Sequence, residues 1–173
     1  MNDTNDQQER LLELAWLAGL FEGEGNLSLV QGSGRRIMPR AGLINTDFEI
    51  IEEVSRILKK YSIGHYIQTR VNGCANNPKH ATAKVILVCG LERVSAFCSL
   101  LSDYFRGHKK RVLENVLEYC KYRLAQPKNS PYTGLESRWV NEVRFLNRKG
   151  PKESSETLRQ ANLEWLEDKV QTA

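Results

Sequence analysis

Long apolar runs are missing from this chain. The longest, around Leu14 to Phe21, is far short of the roughly 20 residues a membrane-spanning helix needs, and Glu13 interrupts it. Met1 to Arg10 is polar and acidic, without the apolar core of a secretory signal. Cysteine is sparse: Cys74, Cys89, Cys98 and Cys120 show no C-x-x-C spacing, and His65, His80 and His108 lack the spacing of zinc ligands. The four read as reduced thiols. The expectation is a soluble intracellular protein, in the cytoplasm of a prokaryote or an organelle matrix, not secreted and without a membrane partner. There is no G-x-S-x-G and no G-x-x-x-x-G-K-[ST], and Gly32-Ser33-Gly34 is too short to count as a phosphate loop. Serine-nucleophile and P-loop chemistry are therefore set aside. No internal repeat or low-complexity segment is visible.

What is present is one domain's worth of chain, 173 residues, with a formal net charge of +4 and a pI near 8.9. That balance permits nucleic-acid binding without demanding it. The organising stretch is Leu14 to Gly25. Leu11, Leu14, Ala18 and Phe21 fall on one helical face, and Leu12, Trp16 and Gly19 on the adjoining one. A helix apolar over so much of its circumference has to be covered on two sides. Gly19 costs roughly 1 kcal/mol against alanine inside a helix, and its return is the close approach of another backbone. One side meets the core, and the other meets a second helix, its own copy across a two-fold axis. Glu22 and Glu24 then stand at the helix C-terminus, where the dipole disfavours negative charge. Two copies of Glu24 brought together repel, and a divalent cation relieves that repulsion.

The rest of the chain reads as an α+β domain. The signature helix is expected over about Gln8 to Gly23, with residues 1–8 frayed, then strands at about 25–31 and 37–45. Thr46 to Glu49 fits a capping box, with Thr46 as N-cap, ahead of a helix carrying Ile50, Ile51, Val54, Ile57 and Leu58. Strands follow at about 64–72 and 81–89, separated by a loop with Gly73 and Asn76-Asn77-Pro78. Helices are expected at about 91–105, 108–124 and 135–147, and from Ser154 or Ser155 to Val170. The order αββαββα plus C-terminal helices makes an antiparallel sheet with helices on one face. The other face is left to solvent or a partner.

Leu17-Ala18-Gly19-Leu20-Phe21-Glu22-Gly23-Glu24-Gly25 resembles the LAGLIDADG signature of homing endonucleases. Leu17, Ala18, Gly19, Leu20 and Gly25 match in type, and Phe21 is an apolar exchange. Glutamates stand where aspartates are commoner, and Gly23 replaces an alanine. The motif occurs once and the later order of elements is also similar, so the resemblance covers nearly the whole chain. It implies an αββαββα core with a saddle-shaped sheet for DNA and further C-terminal helices. It implies a homodimeric, intron-encoded, site-specific endonuclease. Such an enzyme hydrolyses phosphodiester bonds in a long pseudo-palindromic double-stranded site with divalent metal and leaves short cohesive ends. Mg²⁺ is the implied cofactor, with Mn²⁺ substituting and Ca²⁺ binding without supporting cleavage. By the same resemblance Glu24 and the carbonyl of Gly23 hold metal, and Asp47 orients the hydrolytic water. Lys109, with Lys110 and Arg111 behind it, stabilises charge at the scissile phosphate. Trp16, Gly19, Leu20, Glu22 and Gly23 form the helix interface. A basic residue that some relatives carry early in the second helix is absent, because Ile50 and Ile51 occupy that region. The alternatives are an RNA maturase acting on its host intron RNA, and a non-catalytic DNA-binding regulator, against which the retained Glu24 argues.

Strand parity supplies a candidate DNA surface independently. It places Asn26, Ser28, Val30, Met38, Arg40, Gly42, Ile44, Gln68, Arg70 and Asn72 on one sheet face, with Arg35, Arg36, Lys79 and Lys84 on strands or hairpin loops. A β-ribbon with such side chains suits a DNA major groove. Arginine there favours guanine and glutamine adenine, while Val30, Met38 and Ile44 suit thymine methyl groups.

Overall fold

The computed structural model describes residues 3–32, 36–70 and 82–148, and among them five helices accompany one four-stranded sheet. The elements are α1 (Asp3–Gly23), β1 (Asn26–Gln31), β2 (Ile37–Asn45), α2 (Phe48–Lys60), β3 (Tyr66–Arg70), β4 (Ala83–Cys89), α3 (Leu91–Leu101), α4 (Gly107–Ala125) and α5 (Gly134–Leu146). The expected α+β architecture and element order are found. The anticipated last helix, from Ser154 or Ser155 to Val170, lies outside the described residues. Helix α1 begins at Asp3, earlier than the expected Gln8; Asp6 sits in its opening turn, where an acid suits the dipole.

The four strands are antiparallel in the order β1-β2-β4-β3. Two hairpins, β1–β2 and β3–β4, join through the central β2–β4 ladder, in which Arg40 faces Cys89 and Asn45 faces Lys84. Leu27 and Leu29 of β1, Ala41 and Leu43 of β2, and Ile86 and Val88 of β4 turn one sheet face toward the helices, and all six are buried. Alternation along each strand is what sorts them. Against them pack Leu14, Leu17, Ala18 and Phe21 of α1, Ile51, Val54, Ile57 and Leu58 of α2, and Val94, Phe97 and Leu101 of α3. Phe21 and Phe97 sit 4.8 Å apart between ring centroids. Each of the larger side chains, from valine to phenylalanine, stabilises the fold by about 1.5–3 kcal/mol on burial.

Two local readings change. Asp47, not Thr46, is the N-cap of α2: its carboxylate accepts from the Glu49 amide at 2.9 Å, so Glu49 is too close to the cap to complete a box. Asn45 Oδ1 in turn accepts from the Asp47 amide at 2.9 Å, which sets the start of the helix one residue late. A capping box is found instead at α5, where Thr133 and Glu136 satisfy each other. The second change is Lys84. Its register opposite Asn45 puts it on the helix-covered side, where its ammonium meets Glu52 at 3.2 Å and stands 4.4 Å above the Phe48 ring. It is not part of the open face, because parity and an acid on α2 both draw it the other way.

Polar contacts fasten the helices. Glu13 of α1 meets Lys60 at 2.7 Å and Arg56 at 2.6 Å on α2. Burial alone raises its carboxyl, but the hydrogen bonds and charges of Lys60 and Arg56 outweigh this and hold it below the usual range. The contact is therefore full above the ordinary carboxylate pKa and is lost as pH falls through the depressed one. Tyr119, buried in α4, donates to the Ile37 carbonyl at 2.9 Å. Burial pushes the Cys120 thiol up to about 12. Arg123 of α4 and Glu136 of α5 form an ion pair at 3.2 Å, with side chains 9% and 1% exposed. Glu136 also accepts from the Thr133 amide at 2.6 Å. Removing one partner strands the other charge in a dry site, so Glu136→Ala is expected to cost about 3–5 kcal/mol. Urea denaturation of the variant beside the parent checks this, with Glu136→Gln expected to fall between them.

Candidate functional site

The site is built where α1 turns into β1. The amide of Glu24 closes on the Leu20 carbonyl at 2.9 Å and that of Gly25 on the Phe21 carbonyl at 3.0 Å. Gly25 is fully enclosed: a Cβ there meets Phe21 Cδ1 at 2.5 Å and the Phe21 backbone at 2.7 Å. No side chain fits, so the chain leaves the helix directly into the sheet and carries Glu24 to its edge.

The dipole conflict seen in the sequence is resolved by α4. Lys109 Nζ donates to the Gly25 carbonyl at 2.8 Å and to the Phe21 carbonyl at 3.2 Å, placing a cation at the negative end of α1. Reciprocally, Glu22 Oε1 accepts from the Arg106 amide at 2.5 Å, placing an acid at the positive end of α4, where Arg106 is the N-cap. Each helix thus supplies the charge that the other's terminus requires. Gly107, with φ of 57°, makes the left-handed turn that starts α4 here. The sequence showed both charges as misplaced, since each sits at the wrong end of its own helix.

Glu24 itself is exposed, and its Oε2 accepts from Asn45 Nδ2 at 3.1 Å. Asn45 is a residue that sequence reasoning missed. Its amide group spans from Glu24 to the Asp47 backbone, whereas the Asp47 carboxylate is occupied in capping α2. The only signal was its position at the end of β2, opposite the acid. Glu24 opens into a cleft of about 330 Å³ over the uncovered sheet face, shared with Asn26, Ser28, Arg40, Ile44 and Arg70. Val85 and Leu87 are its buried floor. Gly42 keeps that floor low, since a Cβ there stands 2.8 Å from Leu87 Cδ2.

A family model, that of the LAGLIDADG-like domain, matches residues 12–102 of the chain. The chain belongs to the LAGLIDADG family. No curated protein matches it by sequence. Among solved structures it is similar to the homing endonuclease I-CvuI in complex with the I-CreI target in 2 mM Mg, with the DNA not cleaved. The TM-score is 0.64 at 20% identity, over 91% of this chain and 96% of that one. The same enzyme with its own target in 2 mM Ca gives 0.63 at 19%, with the same coverage. The archaeal intron-encoded homing endonuclease I-Vdi141I, complexed with DNA, gives 0.61 at 18%, over 89% and 96%. The DNA complex of I-GzeII gives 0.54 at 15%, over 86% of this chain but 48% of that one. These likenesses establish the LAGLIDADG homing endonuclease fold.

Within that fold, the predicted residues separate into groups. Glu24, Asn26, Ser28, Val30, Arg40, Ile44 and Arg70 gather around the one cleft. Gln68 lies between Tyr66 and Arg70 in β3 parity, all three on the open face and exposed. Tyr66 belongs to that face and was passed over, although its alternation with Gln68 and Arg70 was visible. Arg36, one residue before β2, and Met38, near its start, are exposed. Arg111 lies on the flank, 4.0 Å from Glu142 of α5, with Lys110 half-buried beside it. Arg35, Asn72 and Lys79 fall outside the described residues. On the LAGLIDADG helix, Trp16, Gly19 and Gly23 are exposed and Leu20 and Glu22 half-buried. Leu12 is 65% and Trp16 41% exposed, and a Cβ on Gly19 meets nothing within 4 Å.

Among the described residues no three acidic, histidine or cysteine groups gather to hold a metal. One carboxylate with an adjacent carbonyl suits a hard cation such as Mg²⁺, which takes one or two carboxylates plus substrate phosphate. Because the contacts at Gly25 are with backbone as well as a ring, Gly25→Ala is expected to destabilise the fold by about 1–3 kcal/mol. A lowered urea midpoint with unchanged slope checks it.

Proposed function

We propose that the chain is a homodimeric, site-specific DNA endonuclease dependent on divalent metal. The observation that carries this reading is the placement of Glu24 at the mouth of the cleft that also holds Arg40 and Arg70. A potential metal-binding carboxylate and two potential base-reading arginines share one open surface. The relatives described as DNA complexes, in Mg or in Ca, support a duplex as the occupant and a hard cation as the cofactor.

One subunit offers one acid where a cut needs a fuller site. The exposed stripe of Leu12, Trp16, Gly19 and Gly23 on α1 supplies the means of completing it. Packed on its own copy, it covers the apolar surface left bare here and draws two Glu24 residues to a common axis. That this chain spans about half of I-GzeII supports a two-unit assembly.

In the mechanism, Glu24 and the Gly23 carbonyl would hold the metal, which when bound would supply an activated water and charge stabilisation at the leaving oxygen. Asn45 holds the Glu24 carboxylate in place. Its second amide hydrogen, together with the Asp47 carboxylate that caps α2 beside it, would orient a nearby water. Lys109, fixed between the Gly25 and Phe21 carbonyls, sets the backbone beneath Glu24 and adds positive charge beside the phosphate. Arg40 and Arg70, from β2 and β3, read base edges in the major groove, with Gln68 and Asn26 beside them.

Two outcomes test this. Cleavable sites are first selected from a randomised duplex library with Mg²⁺. Glu24→Gln is then expected to lose cleavage while keeping specific binding in Ca²⁺; near-parental cutting by the variant would sink the metal assignment. Gly19→Leu is expected to leave the subunit folded, since open space surrounds that Cβ, and to weaken dimerisation at least tenfold. Sedimentation measures this, and a parent that is monomeric at micromolar concentration yet cuts both strands contradicts the two-fold arrangement.

A further inference from the structure

A second, larger cleft lies at the opposite end of the sheet from Glu24. It has a volume of about 680 Å³ and runs between the outer ends of β2 and β4 and the turn joining α4 to α5. Arg36, Arg40, Arg123 and Lys128 line it, and no aspartate or glutamate is among its lining residues. Val30 and Arg40 also line the cleft at Glu24, so the two hollows form one continuous surface.

The turn that closes this cleft is braced. Arg123 donates to the Ser130 carbonyl, is ion-paired to Glu136 at 3.2 Å, and stacks 4.2 Å from the Tyr132 ring centroid. The Ser130 amide and hydroxyl both donate to the Pro127 carbonyl, at 3.1 and 2.8 Å. Asn129 takes φ of 70°, a left-handed conformation that asparagine tolerates. Arg123 is thus neutralised by Glu136. Arg36, Arg40 and Lys128 have no acidic partner among the described residues. Three cations facing one hollow without acids repel one another, and an anion in the hollow relieves that repulsion.

We infer that this cleft seats the sugar-phosphate backbone of the duplex, making the α4–α5 turn a DNA-contacting element in addition to the sheet. Lys128 and Arg36 hold phosphate there, whereas Arg40 stands between the two clefts. The inference rests on the duplex-binding reading given above and extends it to a residue and an element that neither signature nor strand parity indicates. The position is specified by the sheet. Gly42, which lines the same cleft as Glu24, and Arg36, one residue before β2, are six residues apart, a span of about 20 Å in extended chain. At roughly 3.4 Å per phosphate along one strand, the contact falls about six nucleotides from the cut.

The test is the salt dependence of duplex binding by the full chain in Ca²⁺, using a mixed-sequence DNA duplex of about 40 base pairs. Each lost phosphate contact is expected to lower the slope of log Kobs against log salt by about 0.9, so in the dimer, which carries two copies of each residue, Lys128→Ala lowers it by about 1.8 and Lys128→Ala with Arg36→Ala by about 3.6. Lys128→Arg is expected to restore the parental slope, which a merely structural role of the turn does not require. On selected sites, Lys128→Ala is expected to leave the preference at every base pair unchanged. Binding by the parent with an unchanged slope in the double variant overturns the inference and leaves the duplex-binding reading standing. An altered base preference in Lys128→Ala, or a slope loss confined to an RNA duplex, also overturns it. A parent that binds no DNA duplex overturns both, and that result is read from the parent alone.

Discussion

The junction of α1 with α4 is the constraint on which the site depends. Helix α1 ends in two acids at the pole of its dipole that repels them, and α4 opens with His108-Lys109-Lys110-Arg111 at the pole that repels cations. Neither terminus is favourable alone. Together they are complementary, with Glu22 on the Arg106 amide and Lys109 on the Phe21 and Gly25 carbonyls. Hydrogen bonds of this charged kind each contribute about 1.5–3 kcal/mol. That contribution fixes the direction in which the chain enters β1, and hence the position of Glu24 relative to the sheet.

With that junction fixed, the sheet divides its labour by parity. One face is covered by α1, α2 and α3 and carries the core. The other is left open, with a buried aliphatic floor at Val85 and Leu87 and polar side chains along the rim. Lys84 shows how strictly the division is kept. One residue from Val85, it points through the other face into the field of Glu52. The β1 edge is closed by α5, where Asn147 donates to the Leu27 carbonyl at 2.7 Å. This occupies an edge carbonyl that would otherwise be available for strand pairing.

A tension between stability and assembly runs along α1. Leu14, Leu17, Ala18 and Phe21 are at most 2% exposed, while Leu12 is 65% and Trp16 41% exposed. The helix is more apolar than this subunit can use. Gly19 lowers its intrinsic helicity and fills no void within the subunit. Both features are explained if a second helix packs there, as proposed above.

The signature around Glu24, the period-two pattern of the strands and the helical periodicity of α2 were legible in the sequence because they are local. Burial of one face prints a repeat of 2 or 3.6 residues directly into the chain. The open-face parity of Asn26, Ser28, Arg40 and Arg70 followed from the same rule. What was not legible involved partners distant in sequence. Asn45 reaches Glu24 across 21 residues, and Lys109 reaches the α1 terminus across 84 and 88. Asp47, Thr46 and Asn45 compete to start α2, and the strand-end geometry of Asn45 selects Asp47. The basic cleft at Lys128 exists only because α4 and α5 bring their connecting turn beside the end of β2. Sequence by itself determined which residues alternate, which face is apolar and which family signature the chain carries. Tertiary structure alone decided which charges meet, since electrostatic complementarity depends on distance in space, and the folded backbone sets that distance.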